Sequence, residues 1–328
     1  MSRFALALVL PVLAFPVMLP FAAAAETLTL YTSQPNEDAQ QTVDAFKAAN
    51  PGIEVNWVRD GTTKLMARLA AEIKAGAAQP DVLLISDTVT LEGLAQQGDL
   101  AAYPSPEAAA YDPALYSAEG YYYSTKLITT GIAYNTGVTE KPASWADLAK
   151  PEYKNLVAMP SPLYSGAALI HMATLTADPD LGWGYYEDLA KNGTQADGGN
   201  GAVFKAVASG EKPYGVLVDY MALRAKADGS PIDFVFPKEG VTYVTEPVAI
   251  LKGARNIEAA QKFVDFVLSE QGQDVVVKMG YIPARNGVAS PEGFPARDSL
   301  KLMPFDAAKT LADTQVNLQR FSDIFGIQ

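Results

Sequence analysis

Apolar residues along this chain fall into three kinds of run. Phe4 to Phe21 is almost wholly apolar and follows a single charge at Arg3, while Ala22 to Ala25 close the run with small side chains before Glu26 opens ordinary polar sequence. A basic start, an apolar middle and a small-residue end predict a secretory leader cut after Ala25. Pro11, Pro16 and Pro20 argue against the same run serving as a spanning helix. From Glu26 onward, apolar stretches of strand length take turns with stretches in which apolar residues recur every three or four positions. Thr27 to Tyr31 alternates; Asn36 is placed to cap a helix whose apolar stripe is Ala39, Val43 and Phe46. Ile53, Val55 and Trp57 alternate again, and a second helix starts at Thr62 or Thr63 with Leu65, Met66, Leu69 and Ile73 on one face. Val82 to Ile85 reads as a buried parallel strand, with Asp87 placed as a cap just after it.

This βαβαβ order predicts a parallel sheet covered by helices, and a second such unit comes later in the chain. Leu156 to Met159 precedes a turn and a helix beginning near Ser165, while Gly201 to Val207 leads into the strand Tyr214 to Val218, with Asp219 opening another helix. Leu127 to Tyr134 and Val241 to Leu251 flank this unit as long β-like segments suited to crossing between two bodies, and helices over Ile257 to Leu268 and Ala307 to Phe325 form the tail. The expected fold class is α/β with two lobes joined by two hinge strands: a leader at 1–25, one lobe from 26–129 and 246–328, the other from 130–245.

Composition narrows the chemistry. The chain has no cysteine, which excludes disulfides, thiolate metal sites, a thiol nucleophile and lipid attachment at a cleavage-point cysteine. Net charge is −12, becoming −13 when Arg3 leaves with the leader, and no basic run occurs. DNA, RNA and anionic membranes are therefore disfavoured partners. A leader without an anchor predicts a protein free in a Gram-negative periplasm.

Candidate contacts cluster where strands give way to helices, the ends that face the crevice in open parallel sheets. Ser165, Gly166 and Ala167 open a helix whose unpaired N–H groups suit a phosphate, phosphonate or carboxylate, or simply a capped core helix. Ser33, Thr62, Thr63 and the Ser86-Asp87 pair lie at equivalent ends of the first unit, where each can equally be a cap. Gly198-Gly199-Asn200-Gly201 lacks the spacing of a dinucleotide fingerprint and reads either as a flexible turn or as a polar contact through Asn200. Asp219, followed by Tyr220, either caps its helix or holds a cation, with Glu246 a second candidate for that task. Tyr31 and Tyr164 are candidate pocket walls or core residues. His171, the one histidine, points roughly 240° around the helix from Ser165, so the two do not form a nucleophile–base pair, and no G-x-S-x-G elbow exists. No cofactor is expected.

Leu30 to Glu37, Asp60 to Lys64, Ser161 to Ala167, Asn200 to Val203 and Val248 to Leu251 together form a recognisable ordered pattern. Through it the chain resembles the ABC-transporter solute-binding proteins of the ferric-ion-binding superfamily, over nearly all of the sequence after the leader. The resemblance implies two lobes closing on a ligand that is handed to an ABC permease, with no reaction performed, by a monomer. Ferric-iron binders of that superfamily use neighbouring tyrosines after the strand matching Tyr214–Asp219, and many use a histidine after the first strand. Here those positions hold Tyr220-Met221 and Pro35, which makes a poor ferric site. Asp60 to Met66 and Pro160 to Leu169 look most like the branch that binds 2-aminoethylphosphonate, with hexose-phosphate binders next. The expectation is that Ser33, Thr62, Thr63, Ser165, Gly166 and Ala167 hold the phosphonate, and that Asp219, or failing it Glu246, takes the ammonium, with Tyr31, Tyr164, Tyr220 and Asn200 as walls. A hexose-phosphate binder is the runner-up, and an exported hydrolase is the reading from another class.

Overall fold

The computed structural model describes residues 26–327; the predicted leader lies outside them. The first unit runs β1 (Glu26–Thr32), α1 (Asn36–Ala49), β2 (Ile53–Arg59), α2 (Thr62–Lys74), β3 (Val82–Leu84), α3 (Thr88–Gln97), β4 (Leu100–Ala101) and β5 (Tyr122–Tyr123). β1 lies between β2 and β3 and parallel to both, with Leu30 opposite Trp57 on one side and Val82 on the other. The chain then crosses on β6 (Lys126–Asn135) and builds β7 (Val157–Ala158), α4 (Gly166–Ala177), α5 (Gly182–Lys191), α6 (Asn200–Ser209), β8 (Tyr214–Val218), α7 (Asp219–Ala227), β9 (Ile232–Val235) and β10 (Thr242–Val244). It returns through β11 (Val248–Leu251), α8 (Ile257–Leu268), α9 (Glu270–Lys278), β12 (Ile282–Pro283) and α10 (Ala307–Phe325).

Two six-stranded sheets result, one ordered β2-β1-β3-β11-β4 with β5 on β11, the other β10-β6-β8-β7 with β9 and β12 on β6. The first keeps the predicted parallel arrangement for β1 to β3, and β11 enters antiparallel to β3. The second departs from it. Only β7 and β8 pair in parallel, while β6 runs antiparallel to β8, β9 and β10. The reason is the long β6, a ten-residue strand that arrives from the other lobe instead of from a βαβ crossover, so no right-handed connection sets its direction.

Each sheet has its own core. Phe46 of α1 meets Phe263 and Phe266 of α8 edge to face at 5.0 and 5.6 Å beneath the first sheet. Trp145, Tyr186, Leu189 and Val216 pack the second. Phe321 of α10 belongs to this second core, with its ring 5.8 Å from that of Tyr186, while Leu311 of the same helix lies over Gly93 of α3. The tail helix therefore straddles the two halves, whereas the sequence pattern assigns all of 246–328 to the first lobe; an amphipathic helix shows an apolar face but not which body covers it.

The predicted crossing Val241 to Leu251 is broken between β10 and β11. Glu246 sits there at φ 40°, a left-handed backbone that costs a non-glycine residue about 1–3 kcal/mol. The break ties the two crossings together: the amides of Thr125 and Lys126 both donate to the Thr245 carbonyl at 3.1 and 3.2 Å, and the Thr125 hydroxyl donates to the Glu246 carbonyl at 2.8 Å. One predicted cap also shifts. Asn36 is the first residue of α1 and Pro35 holds the cap position, so no side chain caps this helix. Asp87 caps α3 as expected, accepting from the Thr90 amide at 2.9 Å.

Candidate functional site

Three helix starts meet across the space between the sheets. Gly61-Thr62 leads from β2 into α2, Ser165-Gly166 opens α4, and Gly199-Asn200 opens α6, all lining a cleft of about 530 Å3. The first amides of a helix have no intrahelical acceptor and carry its positive dipole end, so each start is an anion donor. Gly61 and Gly199 occupy the cap positions of α2 and α6, which brings backbone to the cleft without a side chain in the way. Ser165 caps α4 by accepting from the Ala168 amide at 3.3 Å, and Asn200 donates to the same Ser165 oxygen at 3.3 Å while accepting from the Val218 amide at 3.3 Å. Asn200 thereby locks α6, α4 and the end of β8 into one frame.

The first sheet contributes Ser33, whose oxygen accepts from the Ser86 amide at 2.9 Å, and Arg59, whose Nε donates to the Gln34 carbonyl at 2.8 Å. Anchored there, Arg59 lines the cleft and is, among the described residues, the one cationic residue that does. Glu246 is, among the described residues, the one carboxylate lining it, and it is already paired. Glu246 and Lys126 form an ion pair with both side chains almost wholly buried, and Gln34 Nε2 at 3.1 Å and Ser86 Oγ at 3.2 Å also donate to the carboxylate. Lys126 further rests over the Tyr281 ring at 4.1 Å. A buried carboxylate with so many donors offers little to a second cation.

The halves touch around this cleft. A Cβ added to Gly166 would stand 2.4 Å from the Ser86 carbonyl oxygen and 3.3 Å from Thr62 Cγ2, so bare backbone at Gly166 lets α4 close on the first sheet. Behind the cleft, Arg224 of α7 reaches Asp38 of α1 at 3.3 Å and stacks on Tyr220 and Tyr281 at 4.7 and 4.3 Å. Tyr220 itself lines the cleft, its phenol held well above the usual range by burial.

Of the residues singled out from the sequence, Ser33, Thr62, Tyr164, Ser165, Gly166, Ala167, Asn200, Tyr220 and Glu246 all line the cleft. Three do not. Thr63 is exposed, and its hydroxyl donates to the Tyr164 carbonyl at 3.3 Å. Tyr31 is fully buried among Leu65, Leu69, Leu83 and Leu91, a cluster separate from that of Phe46, donating to Glu72 at 2.9 Å with Arg68 over its ring at 5.0 Å; burial first, and then Glu72, raise its pKa to about 12. Strand alternation sends that side chain to the face of the sheet opposite Leu30 and Phe46, not to its end. Asp219 is 1% exposed, and its carboxylate accepts from the Thr129 amide at 3.1 Å, the Thr129 hydroxyl at 2.7 Å and the Tyr220 amide at 2.7 Å. It ties α7 to β6 and is not presented to the cleft. Burial raises its pKa to about 6 against the pull of those bonds.

His171 lies outside the cleft too. It is buried, its Nδ1 3.0 Å from the Thr242 hydroxyl and its ring 4.7 Å from that of Trp145, and burial lowers its pKa to about 3. Arg59, on the cleft wall, and Lys126, paired with Glu246, are charged residues at the candidate site that the sequence pattern does not single out. The first ends a strand at the crevice side, a position where charge is as informative as the hydroxyls; nothing local marks the second, whose partner is far along the chain.

Known proteins share this plan. An uncharacterized protein of Haemophilus influenzae is 30% identical over 312 residues, covering 88% of this chain and 87% of that protein. Spermidine/putrescine-binding periplasmic protein 1 of the same organism is 31% identical over 193 residues, 52% of each chain. The periplasmic binding protein AfuA of Actinobacillus pleuropneumoniae, solved with fructose-6-phosphate bound, superposes with a TM-score of 0.83 at 24% identity over 92% of this chain and 99% of that one. The two-lobe α/β fold is thus that of the periplasmic binding proteins. Residues 28–282, from the first strand through both crossings, match a single family model, and the chain belongs to the bacterial extracellular solute-binding proteins.

Proposed function

We propose that the protein captures a small organophosphonate, 2-aminoethylphosphonate, in the periplasm and presents it to an ABC permease. The observation that carries this reading is the charge of the cleft. Three helix starts and Arg59 face it, and Glu246, the carboxylate on its wall, is neutralised by Lys126. An acidic protein of net charge −12 thus keeps one locally positive cavity, which suits a compact anion. Ser33, Thr62, Ser165, Gly166 and Ala167 surround the phosphonate, and the face of Tyr220 is the group left for the ammonium end. Two further expectations belong to this reading: the protein acts as a monomer, and it leaves its ligand chemically unchanged.

A cleft of about 530 Å3 also has room for a longer tail, and this favours a hexose phosphate as second reading. A polyamine fits less well, because its ammonium groups need open carboxylates. Ferric iron fits less well too: where ferric binders place neighbouring tyrosines this chain has Tyr220-Met221, and Tyr220 is already covered by the Arg224 guanidinium.

Calorimetry with 2-aminoethylphosphonate, glucose 6-phosphate, inorganic phosphate, spermidine and ferric citrate tests these alternatives directly. Tight binding of the aminophosphonate, with a weaker hexose phosphate, supports the proposal. Binding of spermidine or ferric ion alone overturns it.

A further inference from the structure

Tyr164 stands out from the other cleft residues. It is 47% exposed, one of few large apolar side chains so exposed among the described residues, yet its ring is wedged between two glycines from opposite sides of the cleft. A Cβ on Gly61 would lie 3.1 Å from Tyr164 Cζ, and one on Gly199 would lie 2.7 Å from Tyr164 Cε1. Those glycines are the caps of α2 and α6, and Tyr164 is followed directly by Ser165, the cap of α4. The ring therefore covers the place where the three helix starts converge. Its backbone is fastened to the far side as well, through the Thr63 hydroxyl on the Tyr164 carbonyl at 3.3 Å.

Resting on the anion site proposed for this cleft, we propose that Tyr164 selects for a terminal anion: a phosphonate or phosphate that carries no second substituent. A head group held by these amides has the phenol ring against the side facing solvent. A terminal dianion fits beneath it. An ester methyl or a second phosphoryl group on that side of the phosphorus meets the ring, which is seated between two glycines so closely that a Cβ on either would crowd it. Gly61 and Gly199 are bare, on this view, to seat the ring as much as to expose amides.

The test compares 2-aminoethylphosphonate with its monomethyl ester, and inorganic phosphate with pyrophosphate, by calorimetry on wild type, Tyr164→Ala and Tyr164→Phe. One methyl group against a fitted wall is worth about 10–200-fold in binding. Wild type is expected to prefer each terminal anion, and Tyr164→Ala to lose about tenfold or more of that preference while still binding the terminal anion. Tyr164→Phe, which keeps the ring, is expected to retain it. The charge difference between an acid and its ester persists in all three proteins and cancels from the comparison. Gly199→Ala, which displaces the ring without removing it, is expected to resemble Tyr164→Ala. Equal preference in wild type and Tyr164→Ala would overturn the gate while leaving the anion site standing. Failure of wild type to bind any of the four probes would overturn the anion site itself, and the gate with it. Since Tyr164 is half exposed, thermal midpoints of the three proteins should agree; a collapse of the Ala variant would show the residue to be structural and would also overturn the proposal.

Discussion

Arg59 and Asp219 show how little formal charge says about a residue's role. Arg59 sits on the surface end of a strand, yet it lines the cleft, with its Nε tied to the Gln34 carbonyl. Because the group is exposed, its contact with an anion is screened. Arg59→Gln is expected to weaken anion binding by about 1–2 kcal/mol, roughly 5- to 30-fold, with the unfolding midpoint unchanged. Calorimetry and a thermal scan of the ligand-free protein check both halves. Asp219 is the reverse case, a buried acid committed to structure. Its pKa rises from the unfolded 3.8 to about 6 on folding, so the native state binds more protons between those values. Stability contributed by this group is therefore greatest at low pH, falls as pH rises from about 4 to about 6, and is constant above, a span of about 3 kcal/mol for a shift of this size. Urea unfolding of wild type and Asp219→Asn across pH 4 to 7 should show the variant lacking that decline, while its preference between aminophosphonate and ethylphosphonate stays as in wild type. A selective loss of the amino ligand would restore Asp219 as its partner.

At the level of elements, the site is an arrangement of helix entrances. α4 is the most constrained of these, because Gly166 meets the Ser86 carbonyl oxygen of the opposite half. Backbone cannot swing aside as a side-chain tip can. Gly166→Ala should hold the halves apart and weaken ligand binding by about 1–3 kcal/mol, the usual cost of overpacking. Its ligand-free thermal midpoint should stay close to that of wild type, since the open form relieves the clash. Unaltered affinity would mean that α4 does not approach so closely when ligand is bound. The helix α10 spans the same division from outside, with Phe321 in the second core and Leu311 on Gly93 of α3, so any opening must slide or break the Leu311 contact.

For the whole molecule, the two crossings and the contacts behind them define one axis of motion. Glu246 holds a left-handed backbone at the second crossing, and its ion pair with Lys126 links it to the first. Arg224 and Asp38 join α7 to α1 across the same boundary. A hinge of this kind is expected to close around a ligand, with ligand shifting the population toward the closed form. Small-angle scattering should give a smaller radius of gyration with ligand than without, and Arg224→Gln should enlarge the ligand-free value by releasing the cross-boundary contact. An unchanged radius in the face of tight binding would place the closed form as the resting state.

Local elements, and the family through its ordered motifs, are legible in the amino-acid order alone. Apolar periodicity locates β1 to β3, the long strand β6 and the helix α4 with its Ser165 cap, because each depends on residues a few positions apart. It likewise points to most of the cleft, since strand ends and helix starts are visible in the pattern of hydroxyls and glycines. Direction and partnership are settled only by folding. Whether β6 runs parallel or antiparallel, which half covers α10, and which way Tyr31 faces all depend on contacts tens or hundreds of residues distant. The same holds for charge: Glu246 is free to meet an ammonium until folding brings Lys126, 120 positions earlier, against it, and Asp219 is open until Thr129 closes over it. A buried charge takes its meaning from its partners, and in this chain those partners are brought together by the crossings between the two halves, which no local pattern encodes.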